Sequence, residues 1–262
     1  MNRIDQCFKK LKEENKKALI TFLTAGDPDI DTTVKTVLSM YENGADIVEL
    51  GVPFSDPIAE GITIQRSSLR SLKGGTTLDG IFSATDRIRE KTDKPLVLMM
   101  YLNTIYVYGT EKFFSICAEK GIDAVIVPDM PYEERDEILP AAKKYGVYSI
   151  NLVSPASHDR IKKIAADSEG FLYCVSSNGV TGVRNEYKTD FDEFFGIIGE
   201  NAKCPYCVGF GISGAQQAKA MSAFCDGVIV GSAIVRIMEE YGTDSPDKVG
   251  TFVSDLRKGL DS

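Results

Sequence analysis

Short apolar runs rich in β-branched residues recur along the whole chain, at 19–24, 46–51, 96–101, 124–129, 148–154, 171–176, 207–212 and 227–231. Most lack the alternation of a strand with one wet face. Ile47-Val48-Glu49-Leu50, Val125-Ile126-Val127-Pro128 and Gly227-Val228-Ile229-Val230 are nearly continuous apolar stretches. Such runs predict strands covered on both faces, as in parallel sheets. Between them lie segments with helical spacing. The segment 31–43 puts Val34, Val37, Leu38 and Tyr41 on one stripe and ends at Gly44, a residue suited to a helix C-terminus. Further helices are predicted over 111–121, 132–145, 157–167, 214–223 and 234–241.

Strand–helix alternation implies βαβ units and a parallel sheet. Eight such runs in 262 residues predict an α/β fold, a closed (β/α)8 TIM barrel, as one domain over residues 1–262. Two segments are surplus to that rhythm. Residues 1–17 predict an extra N-terminal helix with Ile4, Phe8 and Leu11 on one face. The connection after strand two, roughly 52–94, is long; it holds Pro53-Phe54-Ser55-Asp56-Pro57, a helical piece at 65–72, a Gly74-Gly75 break and a helix over 78–91. Long connections in compact domains are usually functional or disordered. No linker, low-complexity tract or longer repeat interrupts the pattern.

Composition narrows the class. The chain is 43% hydrophobic, enough for a core of this size, and carries a net charge of −8. The acidic balance argues against nucleic acid as the main partner. No apolar run approaches the ~20 residues of a membrane span, and the N-terminus has no apolar signal core. Six cysteines over this length make no disulfide scaffold. A cytoplasmic protein with reduced thiols is expected.

In a barrel, the residues to inspect lie at the C-terminal ends of the strands. Glu49 sits among Ile47, Val48, Leu50 and Val52. There its charged form is disfavoured, so its pKa should rise toward values useful in acid–base chemistry; a buried Lys or Arg partner is the structural alternative. Asp27 and Asp129 each precede a turn with proline and suit either a turn cap or a functional role. Glu60, in the long second connection, reads from position alone as surface. Gly209-Phe210-Gly211-Ile212-Ser213-Gly214 and Gly231-Ser232-Ala233 each lead into a helix. Glycines at helix N-termini bring backbone N–H groups to an oxyanion, and barrels often bind phosphate after strands seven and eight. Neither turn contains Lys or Arg, so backbone N–H groups and Ser232 are expected to hold the phosphate. Residues 176–182 are small, polar and glycine-flanked, as suits a lid.

Three motifs point elsewhere and fail on context. The G-x-G-x-x-G at 209–214 is not followed by a strand ending in Asp or Glu, as dinucleotide binding requires. Cys204-Pro205-Tyr206-Cys207 enters a strand rather than opening a helix after one, unlike a redox C-x-x-C. The one histidine, His158, excludes a His-rich metal site and disfavours a Ser-His-Asp triad.

The motifs Glu-Leu-Gly-Val-Pro-Phe-Ser-Asp-Pro (49–57), Pro-Asp-Met-Pro-Tyr-Glu-Glu (128–134), Gly-Val-Thr-Gly (179–182), Gly-Phe-Gly-Ile-Ser (209–213) and Gly-Ser-Ala-Ile-Val (231–235) resemble, in order and spacing, the tryptophan synthase α-subunit family. The resemblance covers essentially the whole chain. It implies a (β/α)8 barrel that cleaves indole-3-glycerol phosphate to indole and glyceraldehyde 3-phosphate, without metal or organic cofactor. It implies a pyridoxal-phosphate-dependent β subunit as partner in an αββα complex. It places Glu49 as the acid–base residue acting at indole C3 and on the glycerol hydroxyl. It places Gly182, Gly211, Gly231 and Ser232 at the phosphate, Phe22, Met99, Tyr101, Ile126, Asp129 and Phe210 around the indole, and Thr181 in the lid. The family's usual Ala-Asp-Gly-Pro reads Ala59-Glu60-Gly61-Ile62 here. Glu60 thus stands for the second catalytic carboxylate, which accepts the indole N–H; in a polar loop it is expected to stay ionised. The added methylene leaves open a subunit of weak chemistry that mainly activates its partner.

Overall fold

The structure is a computed structural model that describes residues 2–175, 191–209 and 211–262. Its strands are β1 (Ala18–Thr24), β2 (Ile47–Gly51), β3 (Leu96–Met99), β4 (Ala124–Ile126), β5 (Tyr148–Ile150), β6 (Leu152–Val153), β7 (Leu172–Val175), β8 (Tyr206–Gly209) and β9 (Gly227–Val230). All neighbours pair in parallel, in the order β5-β4-β3-β2-β1-β9-β8-β7-β6. β1 lies between β2 and β9, so the chain's first and last strands meet. β5 and β6 are two halves of the expected fifth run, broken at Asn151. The first half pairs with β4 and the second with β7. The Tyr173 N–H donates to the Asn151 carbonyl at 3.0 Å, which carries the ladder across the break. The eight expected runs therefore close a barrel.

The helices are α1 (Arg3–Glu13), α2 (Ile30–Glu42), α3 (Ile62–Lys73), α4 (Leu78–Arg89), α5 (Leu102–Tyr108), α6 (Thr110–Glu119), α7 (Leu139–Tyr145), α8 (Arg160–Ala166), α9 (Phe191–Asn201), α10 (Ala215–Ser222), α11 (Ser232–Tyr241) and α12 (Ser245–Leu260). The helix expected over 132–145 is in fact a 3-10 segment, Tyr132–Glu137, followed by α7. Pro140, near the start of α7, has no N–H to continue a ladder from the preceding turn. The helix expected over 157–167 splits likewise at His158, whose φ is +44°. α5, α9 and α12 have no counterpart among the sequence expectations. None of the described helices is long and apolar enough to cross a membrane.

Two apolar layers follow from the strands. Ile20, Ile47, Val97, Ala124, Ile126 and Ile229 point into the barrel. Leu19, Leu23, Val48, Leu50, Leu96 and Leu98 pack outward against the helices. This is why β1 and β2 are buried along their whole length and show no alternation. α1 belongs to the inner layer: Ile4, Phe8 and Leu11 pack against it, with Phe8 6.2 Å from Phe171 between ring centroids. Asn2 caps that helix, accepting from the Ile4 N–H at 3.0 Å, and its amide also reaches the Asp123 carbonyl. α1 thus plugs the N-terminal mouth of the barrel. The C-terminal mouth, where the strands end in polar and glycine-rich turns, is left open.

Candidate active site

A cavity of about 360 Å³ opens at that mouth. Phe22, Met99 and Tyr173 form part of its apolar wall. Glu60 lies at one side, and Gly211, Gly231 and Ser232 at the other. Four hollows are larger, at about 520, 510, 430 and 420 Å³, and the two largest lie at the plugged end. In the two largest, Asp123 binds Arg3 at 3.1 Å and Arg89 at 3.0 Å, and Asp46 binds Arg257 at 3.1 Å. They read as clamps that hold α1 and α12 to the barrel floor.

Glu49 is the central residue of β2. Period-two geometry turns it inward with Ile47, while Val48 and Leu50 face the helices. It is fully buried, and neither carboxylate oxygen has a hydrogen-bond partner among the described residues. Burial alone pushes its pKa up to about 8. Among the described residues, no Lys or Arg pairs with it, as the structural alternative would need. Phe22 is its register neighbour on β1 and lines the cavity. Tyr173, another wall residue, feels its charge: burial raises the Tyr173 pKa first, and Glu49 adds to the rise. Glu49 itself is not on the cavity wall; it lies one layer below.

Glu60 is half-buried, not the solvated loop residue expected. Its pKa is raised by burial and by Asp129, against the lowering effect of a short hydrogen bond from the Tyr101 hydroxyl. The same hydroxyl accepts from the Ala59 N–H at 2.9 Å, and Phe54 stacks on the Tyr101 ring at 4.7 Å. Gln65 donates to the Glu60 carbonyl at 2.9 Å. The backbone around Glu60 is thus held from both sides.

The remaining expected residues divide. Phe22, Met99, Gly211, Gly231 and Ser232 line the cavity. Tyr101, Ile126 and Asp129 do not. β3 ends at Met99 and β4 at Ile126, both short of the expected ends. Ile126, in register with Met99, is buried in the inner core. Tyr101 begins α5 and turns to the Glu60 loop. Asp129 accepts from the Leu102 N–H at 3.0 Å, where it serves the start of that helix. Thr181, Gly182, Phe210 and the expected lid lie outside the described residues. Among wall residues the sequence reading missed, Tyr173 is inward by the same period-two count that finds Glu49. Arg236 lies four residues after Ser232 on α11, a helical spacing open to inspection.

Asp27, left open above, is structural. It is 2% exposed and takes a two-pronged bond from Arg70 at 2.9 and 2.7 Å. Arg70 also reaches Glu239 of α11 at 2.7 Å. Ser67 and Ser71 of α3 bond Thr24 and the Ala25 carbonyl, each at 2.6 Å. The helix behind Glu60 is thereby tied to the end of β1 and to the helix that begins at Ser232. Arg70→Ala leaves Asp27 unpaired, and a loss of about 2 kcal/mol is expected in a urea titration, the full buried-pair cost being discounted for Arg70's exposure.

Comparison with known proteins adds the family. A sequence profile described as tryptophan synthase alpha chain matches residues 8–258. The chain is 48% identical to the tryptophan synthase alpha chain of Clostridium kluyveri over 263 residues, covering 100% of each chain. It is 49% identical to that of Caldanaerobacter subterraneus subsp. tengcongensis, over 99% of this chain and 100% of the relative. Its fold is similar to the crystal structure of tryptophan synthase subunit alpha from Legionella pneumophila, with TM-score 0.89, 36% identity and 100% and 99% of the two chains covered. A solved tryptophan synthase α2β2 complex from Pyrococcus furiosus contains a similar chain, with TM-score 0.85, 37% identity and 92% and 98% covered.

Proposed function

The chain belongs to the tryptophan synthase alpha chain family, and from the geometry of its open rim we propose how two carboxylic acids divide the work. The enzyme is the lyase that cleaves indole-3-glycerol phosphate to indole and glyceraldehyde 3-phosphate, late in tryptophan biosynthesis. The observation that carries the assignment is the inward, unpartnered carboxyl of Glu49, neutral below about pH 8.

A neutral carboxylic acid can give its proton to indole C3. That step leaves an iminium at the ring nitrogen, whose N–H the Glu60 carboxylate accepts and stabilises. The Glu49 carboxylate then takes the proton of the glycerol hydroxyl next to the ring. The carbon–carbon bond breaks, its electrons return to the ring, and the hydroxyl carbon becomes the aldehyde. Glu49 ends protonated, so the cycle closes on the two side chains with no cofactor in the balance. The split of environments suits the split of roles. Burial raises Glu49 with no opposing group among the described residues, whereas the Tyr101 hydroxyl pulls Glu60 back toward its ionised form.

The glycine turns after β8 and β9 suit the phosphate. Gly211 has φ +64°, and no atom of the described residues lies within 4 Å of where a Cβ would stand. A side chain there would be strained and would project into the cavity. Gly211→Val should weaken binding of glycerol 3-phosphate about ten-fold, measured by calorimetry. Unchanged affinity would place the phosphate elsewhere.

The partner is a pyridoxal-phosphate-dependent β subunit in an αββα assembly, and the exposed apolar residues Ile58 and Ile62 beside Glu60, with Tyr106 and Val107 of α5, offer it a docking face. All six cysteines are free thiols, in keeping with a reducing cytoplasm. Indole formation by this chain, alone and with its β subunit, is the deciding assay. Cleavage that rises with the partner supports a working lyase; none in either case leaves only partner activation.

A further inference from the structure

We propose that Arg236 binds the substrate's phosphate, an inference that rests on the cavity reading above. Backbone N–H groups and one hydroxyl were expected to suffice, because neither glycine-rich turn carries a cation. The structure brings one in from the next turn of helix. Arg236 lines the same cavity as Gly211, Gly231 and Ser232, and it is the cationic residue of that wall among the described residues. It stands four positions after Ser232 on α11, so both lie on one face of the helix. Side chains on a helix lean toward its N-terminus, which directs the guanidinium back over Gly231 and Ser232.

Arg236 has no ion pair or hydrogen bond among the described residues, and its natural helical partners are engaged elsewhere. Glu239 is held by Arg70 at 2.7 Å, and Glu240 bonds Tyr241. The Arg70–Asp27 clamp thus has a second effect, since it takes up the carboxylate that would otherwise compete for Arg236. Among the described residues, the cavity wall then carries the Glu60 carboxylate at the ring side and the Arg236 guanidinium at the phosphate side. That polarity matches a substrate with an N–H at one end and a dianion at the other. A planar guanidinium adds two parallel N–H donors and a full positive charge, where a helix terminus alone supplies only a partial one.

The test compares Arg236→Gln, Arg236→Lys and Ser232→Ala. Cleavage kinetics give kcat and KM for indole-3-glycerol phosphate. Calorimetry gives the Kd of glycerol 3-phosphate at low and high salt. Arg236→Gln should raise KM and Kd about ten-fold, keep kcat within about two-fold and flatten the salt dependence of Kd. Arg236→Lys should keep the charge and lose about three-fold, since it cannot fork. Arg236 is exposed on its helix, so the variants should fold normally. If Arg236→Gln changes neither KM nor Kd while Ser232→Ala raises both, the Arg236 assignment is overturned and the phosphate site stands. If neither variant moves either quantity, the phosphate does not bind at this rim and both readings fall.

Discussion

Glu49→Gln should lower kcat for indole formation by at least about 10³-fold, within the range general acid–base groups contribute, and leave the Kd of glycerol 3-phosphate nearly unchanged. The amide matches the carboxyl in size but neither donates the proton to C3 nor takes it from the hydroxyl. A second signature separates this from a general loss of structure. The folded protein holds the Glu49 proton up to about pH 8, whereas the unfolded chain releases it near 4.5. Native stability should therefore fall as pH rises through that window and stay lowered above it. Glu49→Gln removes the penalty, so the variant should match the parent near pH 4 and exceed it by on the order of 4 kcal/mol at pH 8 in denaturant titrations. Undiminished activity would remove Glu49 from the mechanism. Equal pH profiles of stability would show that its carboxyl is not held neutral by burial.

Glu60 gives the second large effect. Glu60→Ala removes the acceptor for the indole N–H, and a fall of about 10²- to 10³-fold in kcat is expected for a lost charge-stabilising contact. Glu60→Asp tests the chain's own departure from the family pattern. The backbone there is held by Gln65 at the Glu60 carbonyl and by Tyr101 at the Ala59 N–H. It is not free to advance by the length of a methylene. The shortened carboxylate would fall short of both Tyr101 and the indole nitrogen, and a loss of ~100-fold is expected from a displacement on the scale of 1 Å. Steady-state kinetics of the two variants, with and without the β subunit, check this. Activity preserved or raised in Glu60→Asp would show that the loop only tolerates the longer side chain. Parent-like activity in Glu60→Ala would end the assignment.

The barrel was legible in the chain because its signal is local. A strand buried on both faces is apolar at nearly every position, so runs such as 19–24 and 46–51 stand out without any knowledge of their neighbours. The plug helix was legible for the same reason, through the spacing of Ile4, Phe8 and Leu11. Glu49 was visible as a charge where the pattern allows none, and the glycines of the last two turns by position. α12 carried a readable signal as well, with Val249, Val253 and Leu256 at helical spacing and buried.

What the tertiary structure decided concerns pairs distant in sequence. Whether Asp27 caps a turn or meets a cation depended on Arg70, 43 residues away. Whether Glu60 is wet or half-buried depended on Tyr101, 41 residues away. Ile126 is buried in the inner core and Asp129 accepts from the Leu102 N–H, so neither lines the cavity, whereas Pro128 between them does. Burial and spacing are properties of one segment and its solvent, and a sequence records them directly. An ion pair, a wall or a clamp needs two segments placed against each other, and only the closed barrel specifies that placement.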